Sequence, residues 1–172
     1  MRKIAKTALI AGLACLLCGC GGNLPFTRKT PDLKVSTDFS AQINSGELEA
    51  RADVTRNGED WEFSFSEPGS LGGIVLKIGE NGVDGHLGSL SFAVDENDAY
   101  VLYPEIIAQT LDGLGEISPE SMSAKDGVLT AETEFDGKKV TLTADEKTGE
   151  LISLKCPQYK LAVNFAEKAK DN

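Results

Sequence analysis

Residues 48–66 read LEARADVTRNGEDWEFSFS, and this stretch indicates the fold class of the protein. Apolar and polar side chains alternate on both sides of Asn57-Gly58. Alternation with a period of two is typical of a strand with one buried face, and Asn-Gly between two such runs favours a tight hairpin. The stretch therefore predicts an antiparallel hairpin with one apolar face, formed by Leu48, Ala50, Ala52, Val54, Trp61, Phe63 and Phe65.

The same alternation continues through residues 33–166, in short runs separated by turn signals such as Asn81-Gly82 and Asp136-Gly137. The period changes once, because residues from Ala99 to about Leu114 place their apolar side chains at helical spacing. Short links between strands favour antiparallel pairing. We therefore expect a mainly β (α+β) domain of about nine or ten antiparallel strands with one helix at about residues 99–114.

The widths of the predicted elements bear on the shape of this domain. Most strands have one polar face, so the sheet is covered on one side only. About ten strands span roughly 45 Å, whereas a helix of about 16 residues is roughly 24 Å long and 10 Å wide. We therefore expect a curved sheet, an incomplete β-barrel, wrapped around the helix. The remaining apolar area is filled either by side chains or by a ligand, whose candidate lining residues are Phe39, Trp61, Phe63, Phe65, Leu76 and Ile78.

The N-terminus has the layout of a secretory signal. Arg2, Lys3 and Lys6 precede an apolar run of about 11 residues, which is too short to span a bilayer. Leu17-Cys18-Gly19-Cys20 resembles the bacterial lipobox, and the resemblance implies cleavage after Gly19 and acylation of Cys20, by palmitate or a similar chain. We expect a lipoprotein anchored at the extracytoplasmic face of a cell membrane in the cell envelope.

These signals divide the chain into four parts. Residues 1–19 are the predicted signal peptide, and residues 20–32 are the lipidated cysteine and a tether without periodicity. Residues 33–166 are the predicted β-domain, and residues 167–172 are a charged C-terminal tail.

The net charge of the chain argues against two classes of partner. The chain has a formal net charge of −10, and removing residues 1–19 removes three cations and no acid, which leaves −13. This balance argues against nucleic acid and against electrostatic adhesion to anionic lipid. After cleavage, Cys156 is the only cysteine besides Cys20, and we interpret it as a small buried hydrophobe.

No set of residues in the sequence favours catalysis. Asp84 and His86 share a strand face, but two ligands without a third make a poor metal site. Glu132 and Glu134 also share a face, yet it is the polar face of their strand. There is no Gly-x-Ser-x-Gly elbow. We therefore predict no enzymatic activity, no metal and no cofactor.

The stretch from Val54 to Leu76 carries a family resemblance. Arg56 precedes the aromatic run Trp61–Phe65, and Pro68 and the Leu71-Gly-Gly-Ile74 segment follow it. This order resembles that of the LolA/LolB-like lipoprotein carriers, in which an incomplete β-barrel closed by helices shelters acyl chains. The resemblance implies a position for Arg56 at the mouth of the cavity. The predicted lipid anchor resembles that of the membrane-bound acceptor among these carriers, and not the soluble shuttle.

Two functional hypotheses follow from this reading. In the first, the half-barrel binds an acyl chain or another hydrophobic ligand. In the second, the same fold has a filled core and acts as a non-enzymatic interaction or sensor module for another envelope protein, reached through loops or an open strand edge. A continuous apolar cavity favours the first hypothesis, and a solid interior favours the second.

Overall fold

The computed structural model describes residues 33, 36–46, 48–95 and 97–168. The predicted signal peptide, the lipidation site Cys20 and the predicted tether lie outside the described residues, as do residues 169–172 of the predicted tail.

The described residues form eleven antiparallel strands and one α-helix, which confirms a mainly antiparallel β-domain with one helix. The strand count exceeds the expected nine or ten because β7 has only four residues, too few for a periodic pattern to show. The elements are β1 (Asp38–Asn44), β2 (Glu49–Asn57), β3 (Asp60–Glu67), β4 (Ile74–Gly79), β5 (Gly82–Leu87), β6 (Leu90–Phe92), α1 (Ala99–Asp112), β7 (Met122–Lys125), β8 (Val128–Phe135), β9 (Lys138–Asp145), β10 (Leu151–Cys156) and β11 (Leu161–Ala166).

All eleven strands belong to one sheet, in the order β6-β5-β4-β3-β2-β1-β11-β10-β9-β8-β7. Each half is a meander of neighbouring strands, and the pairing of β1 with β11 joins the two halves. In that pairing Ala41 lies opposite Phe165 and Ile43 lies opposite Val163. Within the described residues the sheet is open, since β6 and β7 stand at its two ends.

The hairpin of β2 and β3 forms as the alternation predicts. Val54 pairs with Phe63 and Arg56 pairs with Trp61, so the apolar residues of both strands face the same side. Val54 and Phe63 are completely buried. The turn between the strands depends on Gly58, whose φ of 70° lies in the left-handed region that favours glycine.

Helix α1 begins after Asp98 and ends at Asp112, two residues before the predicted end. The difference arises because Gly113–Glu116 tightens into a 3₁₀ turn. Asp98 stands at the N-cap position, but its carboxylate accepts a hydrogen bond from the Tyr100 hydroxyl at 2.7 Å and makes no side-chain cap bond. The helix contacts both β4 and β8, and it contributes Val101, Ile106, Ile107 and Leu111 to the hydrophobic core.

Candidate functional site

The predicted lining residues all belong to the hydrophobic core. Phe63 and Leu76 are 0% exposed, so these side chains are packed against neighbours on all sides. Trp61, Phe65, Phe39 and Ile78 keep between 1% and 6% of their surface. In the described residues, this part of the interior is therefore filled by side chains.

Arg56, Trp61 and Asp112 form a polar cluster at the edge of the core. The Arg56 guanidinium and the Trp61 indole N–H meet the same oxygen of Asp112, at 2.8 Å and 3.0 Å. The guanidinium carbon also lies 5.0 Å from the centre of the Trp61 ring, within the range of a cation–π contact. A buried indole needs an acceptor for its N–H, and the last residue of α1 supplies one.

A cleft of about 560 Å³ opens beside this cluster, and we call it the Arg56 cleft. It brings together the predicted mouth residue Arg56 and two predicted lining residues, Trp61 and Ile78. Its walls are strongly charged, because Asp112 and three glutamates also line it: Glu59, Glu80 and Glu105.

A second cleft, of about 580 Å³, lies between β1, β10, β11 and the turn from β9 to β10, and we call it the Phe39 cleft. Phe39 is the one predicted lining residue found here. Its ring packs edge-to-face against Phe165 and Trp61, with centroid distances of 5.4 Å and 6.1 Å. The apolar residues of the cleft are Phe39, Leu151, Ile152, Phe165 and Ala166.

An irregularity in β10 brings Ile152 to this cleft. Leu151 pairs with Ala144 and Ser153 pairs with Thr143, so the register shifts and Ile152 is the extra residue of a β-bulge. Its side chain stays 44% exposed. The bulge thus adds an apolar side chain to the cleft instead of to the core.

Four carboxylates also line the Phe39 cleft, those of Asp38, Asp145, Glu150 and Glu167. The Thr148 and Lys147 backbone N–H groups donate to Asp145 at 2.8 Å and 2.9 Å, and these bonds hold the pKa of Asp145 below its usual value. Asp38 accepts from the Lys168 ammonium at 3.1 Å and from the Thr55 hydroxyl at 3.2 Å.

The remaining polar candidates do not form a site. His86 lies on β5, where its Nδ1 is 3.1 Å from the Ser91 hydroxyl. In the part of the chain that the structure describes, no three His, Cys, Asp or Glu side chains are placed to hold a metal ion. In the same residues no helix combines the length and apolarity that crossing a bilayer requires.

The sequence offered no signal for several of these residues. Alternation places Phe165 on the inner face of its strand, but only the pairing of β1 with β11 brings it to Phe39. Asp145 and Glu150 flank the turn between β9 and β10, and Asp112 ends a helix, so neither setting marks them as neighbours of a cleft.

No protein-family model matches the chain, and no curated protein matches it either.

Proposed function

We propose that this chain is a lipid-anchored extracytoplasmic protein without enzymatic activity, which binds the acyl chain or other apolar part of a ligand in the Phe39 cleft. The observation that carries the proposal is the cleft itself. Its volume of about 580 Å³ lies within the usual range of ligand sites. Its large apolar lining residues, which we call its floor, are Phe39, Phe165, Leu151 and Ile152. Binding there removes apolar surface from water, which favours an apolar occupant.

The strand order and the helix contacts support a sheet wrapped around α1, and the Phe39 cleft lies at one end of its central strands, where β1 and β10 begin and β9 and β11 end. β4 is third and β8 is tenth in the strand order, so in a flat sheet they stand about 34 Å apart. Helix α1 contacts both strands, although a helix is only about 10 Å wide. We infer a sheet wrapped around the helix, a LolA/LolB-like half-barrel. Side chains fill its interior, so the ligand binds in the Phe39 cleft at the ends of the strands.

The Phe39 cleft suits an acyl chain better than the Arg56 cleft does. The Arg56 cleft has charged walls, and the guanidinium of Arg56 is already paired with Asp112. An acyl chain lying there would separate these charges from water without replacing their hydrogen bonds, which is unfavourable. The Phe39 cleft offers five apolar lining residues against which an acyl chain can lie: Phe39, Leu151, Ile152, Phe165 and Ala166.

The proposed anchor fits a ligand that comes from a membrane. Acylation of Cys20 would keep the domain beside lipid, while the net charge of −13 after cleavage would keep its surface soluble. Leu33, the first residue that the structure describes, packs against the hydrophobic core.

Native mass spectrometry tests this proposal on residues 20–172 carrying Cys20→Ala, purified without detergent. After incubation with monododecanoyl glycerol, we expect a discrete adduct of one ligand. Ile152→Ser should lose the adduct, whereas Leu90→Ser should keep it, because Leu90 is an exposed apolar residue outside the cleft. A bare mass for the chain with both residues intact would overturn the proposal.

A second candidate function, docking of another envelope protein, is favoured by one observation at the edge of the sheet. Three large apolar side chains near the hairpin of β5 and β6 are exposed: Leu87 by 49%, Leu90 by 68% and Phe92 by 37%. Such an edge can pair with a strand of a partner. A photo-crosslinker at position 90 would then capture a discrete envelope protein in cells, and one at position 120 would not.

A further inference from the structure

The residues that line the Phe39 cleft favour one kind of head group on its ligand, as well as an apolar chain. We propose that its ligand is a single-chain amphiphile with a positively charged head group, such as an alkylammonium. This inference rests on the proposed function, since it takes the apolar floor as the place of the chain. It goes further by assigning a role to the carboxylates around that floor.

The charges at the cleft are unbalanced. Four carboxylates line it, from Asp38, Asp145, Glu150 and Glu167. Two of them have a cation nearby: Lys168 pairs with Asp38, and Lys147 adjoins Asp145 in the turn. Counted over the residues that the structure describes, the local sum is therefore about −2 at neutral pH.

The position of the carboxylates fits a head group and not a tail. Asp145 ends β9 and Glu150 directly precedes β10, so both flank the turn above Leu151 and Ile152. Asp38 begins β1 and Glu167 follows β11, on the other side of the cleft. A chain lying on Phe39 and Phe165 would therefore have its head group between acidic groups on two sides.

Asp145 stays charged in this setting. It accepts hydrogen bonds from the backbone N–H groups of Thr148 and Lys147, which stabilise its ionised form. These bonds also fix the turn that holds Glu150, whose carboxylate accepts from the Thr148 hydroxyl at 3.2 Å. The negative charge is thus held in place by the backbone.

Like charge disfavours the two most common anionic amphiphiles. A fatty-acid carboxylate or a phospholipid phosphate at this position would be repelled by the four carboxylates and by the net charge of the whole chain. The four carboxylates and the net charge of the chain would both attract a cationic head group, and they would not attract a neutral one. The predicted order of affinity is therefore cationic, neutral, anionic.

Isothermal titration calorimetry tests this order on residues 20–172 carrying Cys20→Ala. The probes are dodecyltrimethylammonium, monododecanoyl glycerol and dodecanoate, three amphiphiles of equal chain length, each below its micelle concentration. We expect the cationic probe to bind roughly tenfold more tightly than the anionic one at low salt, with the difference shrinking at high salt.

Matched variants separate the role of the cleft from that of overall charge. Glu150→Gln combined with Glu167→Gln should reduce the preference for the cationic probe, and Glu134→Gln combined with Glu120→Gln should not, although the net charge changes equally. Equal affinity for the three probes, or tightest binding of dodecanoate, would overturn the inference and leave the proposed function standing. Binding of none of them would overturn the proposed function itself.

Discussion

The guanidinium of Arg56 lies 2.8 Å from the Asp112 carboxylate, so the end of β2 is joined to the last residue of α1. A carboxylate at a helix C-terminus faces the negative end of the helix dipole, which is unfavourable. Arg56 offsets this effect, and the Trp61 indole N–H donates to the same oxygen. The contact connects the aromatic hairpin to the helix that covers it.

We predict that Asp112→Ala lowers the free energy of unfolding by about 1–2 kcal/mol, because the mutation leaves the Trp61 N–H without its acceptor and Arg56 without its partner. The effect is modest because the Arg56 and Asp112 side chains are 32% and 43% exposed, and solvent screens them. Urea unfolding followed by Trp61 fluorescence measures it. Glu120→Ala, which removes an exposed carboxylate elsewhere, is the control, and additive effects of Arg56→Gln and Asp112→Ala would show that the pair is not coupled.

Phe63→Leu should reduce stability without changing ligand affinity. Phe63 is 0% exposed, so the smaller side chain leaves a cavity in the core, at an expected cost of about 1–2 kcal/mol. Phe63 is not among the residues of the Phe39 cleft, and the dissociation constant for monododecanoyl glycerol should therefore stay the same. If Phe63→Leu weakens binding as much as Ile152→Ser does, the ligand lies in the sheet interior and our assignment of the cleft is wrong.

The sequence was sufficient for local structure and insufficient for the sites. The hairpin around Asn57-Gly58 could be predicted because alternation and turn chemistry are properties of neighbouring residues. The approach of Phe165 to Phe39 depends on the pairing of β1 with β11, which are far apart in the chain. The exposure of Ile152 depends on a bulge, and a single extra residue leaves no periodic signal.

Asp145 should contribute to stability in a pH-dependent way. Backbone N–H groups of Thr148 and Lys147 lower the pKa of Asp145 below its ordinary value of 3.8. A carboxyl group whose folded-state pKa is lowered stabilises the protein fully above its unfolded pKa, and the contribution is lost as the pH falls through the folded pKa. Asp145→Ala should therefore be destabilising at neutral pH and less so as the pH falls below about 3.8.

Urea unfolding of both chains at several pH values between neutral and strongly acidic measures this difference. A carbon-detected NMR titration of the Asp145 carboxyl gives the folded pKa directly. Equal destabilisation by Asp145→Ala at all pH values would mean that the turn depends on the aspartate only through neutral hydrogen bonds or packing.

Cys156 should be unreactive in the folded protein. It is 0% exposed at the end of β10, and residues 20–172 carrying Cys20→Ala retain it as their single cysteine. Only an accessible thiolate reacts with a disulfide reagent, so we expect no reaction with Ellman's reagent in native buffer and reaction of one thiol per chain in urea. Rapid native reaction would show that β10 and β11 separate easily.

The anchor is tested by Cys20→Ala in the full chain expressed in a bacterial host. If acyl chains on Cys20 hold the protein, the change should move it from the membrane fraction to the soluble extracytoplasmic fraction, because the net charge of −13 after cleavage gives the domain no attraction for anionic lipid. Cys18→Ala is the matched control, since it replaces a cysteine within the predicted signal and should leave the protein membrane-bound. Radioactive palmitate should label the unchanged protein and the Cys18→Ala variant, but not the Cys20→Ala variant. Retention of the Cys20→Ala protein on membranes after a high-salt wash would contradict the lipid anchor and point to attachment through the apolar edge near Leu90.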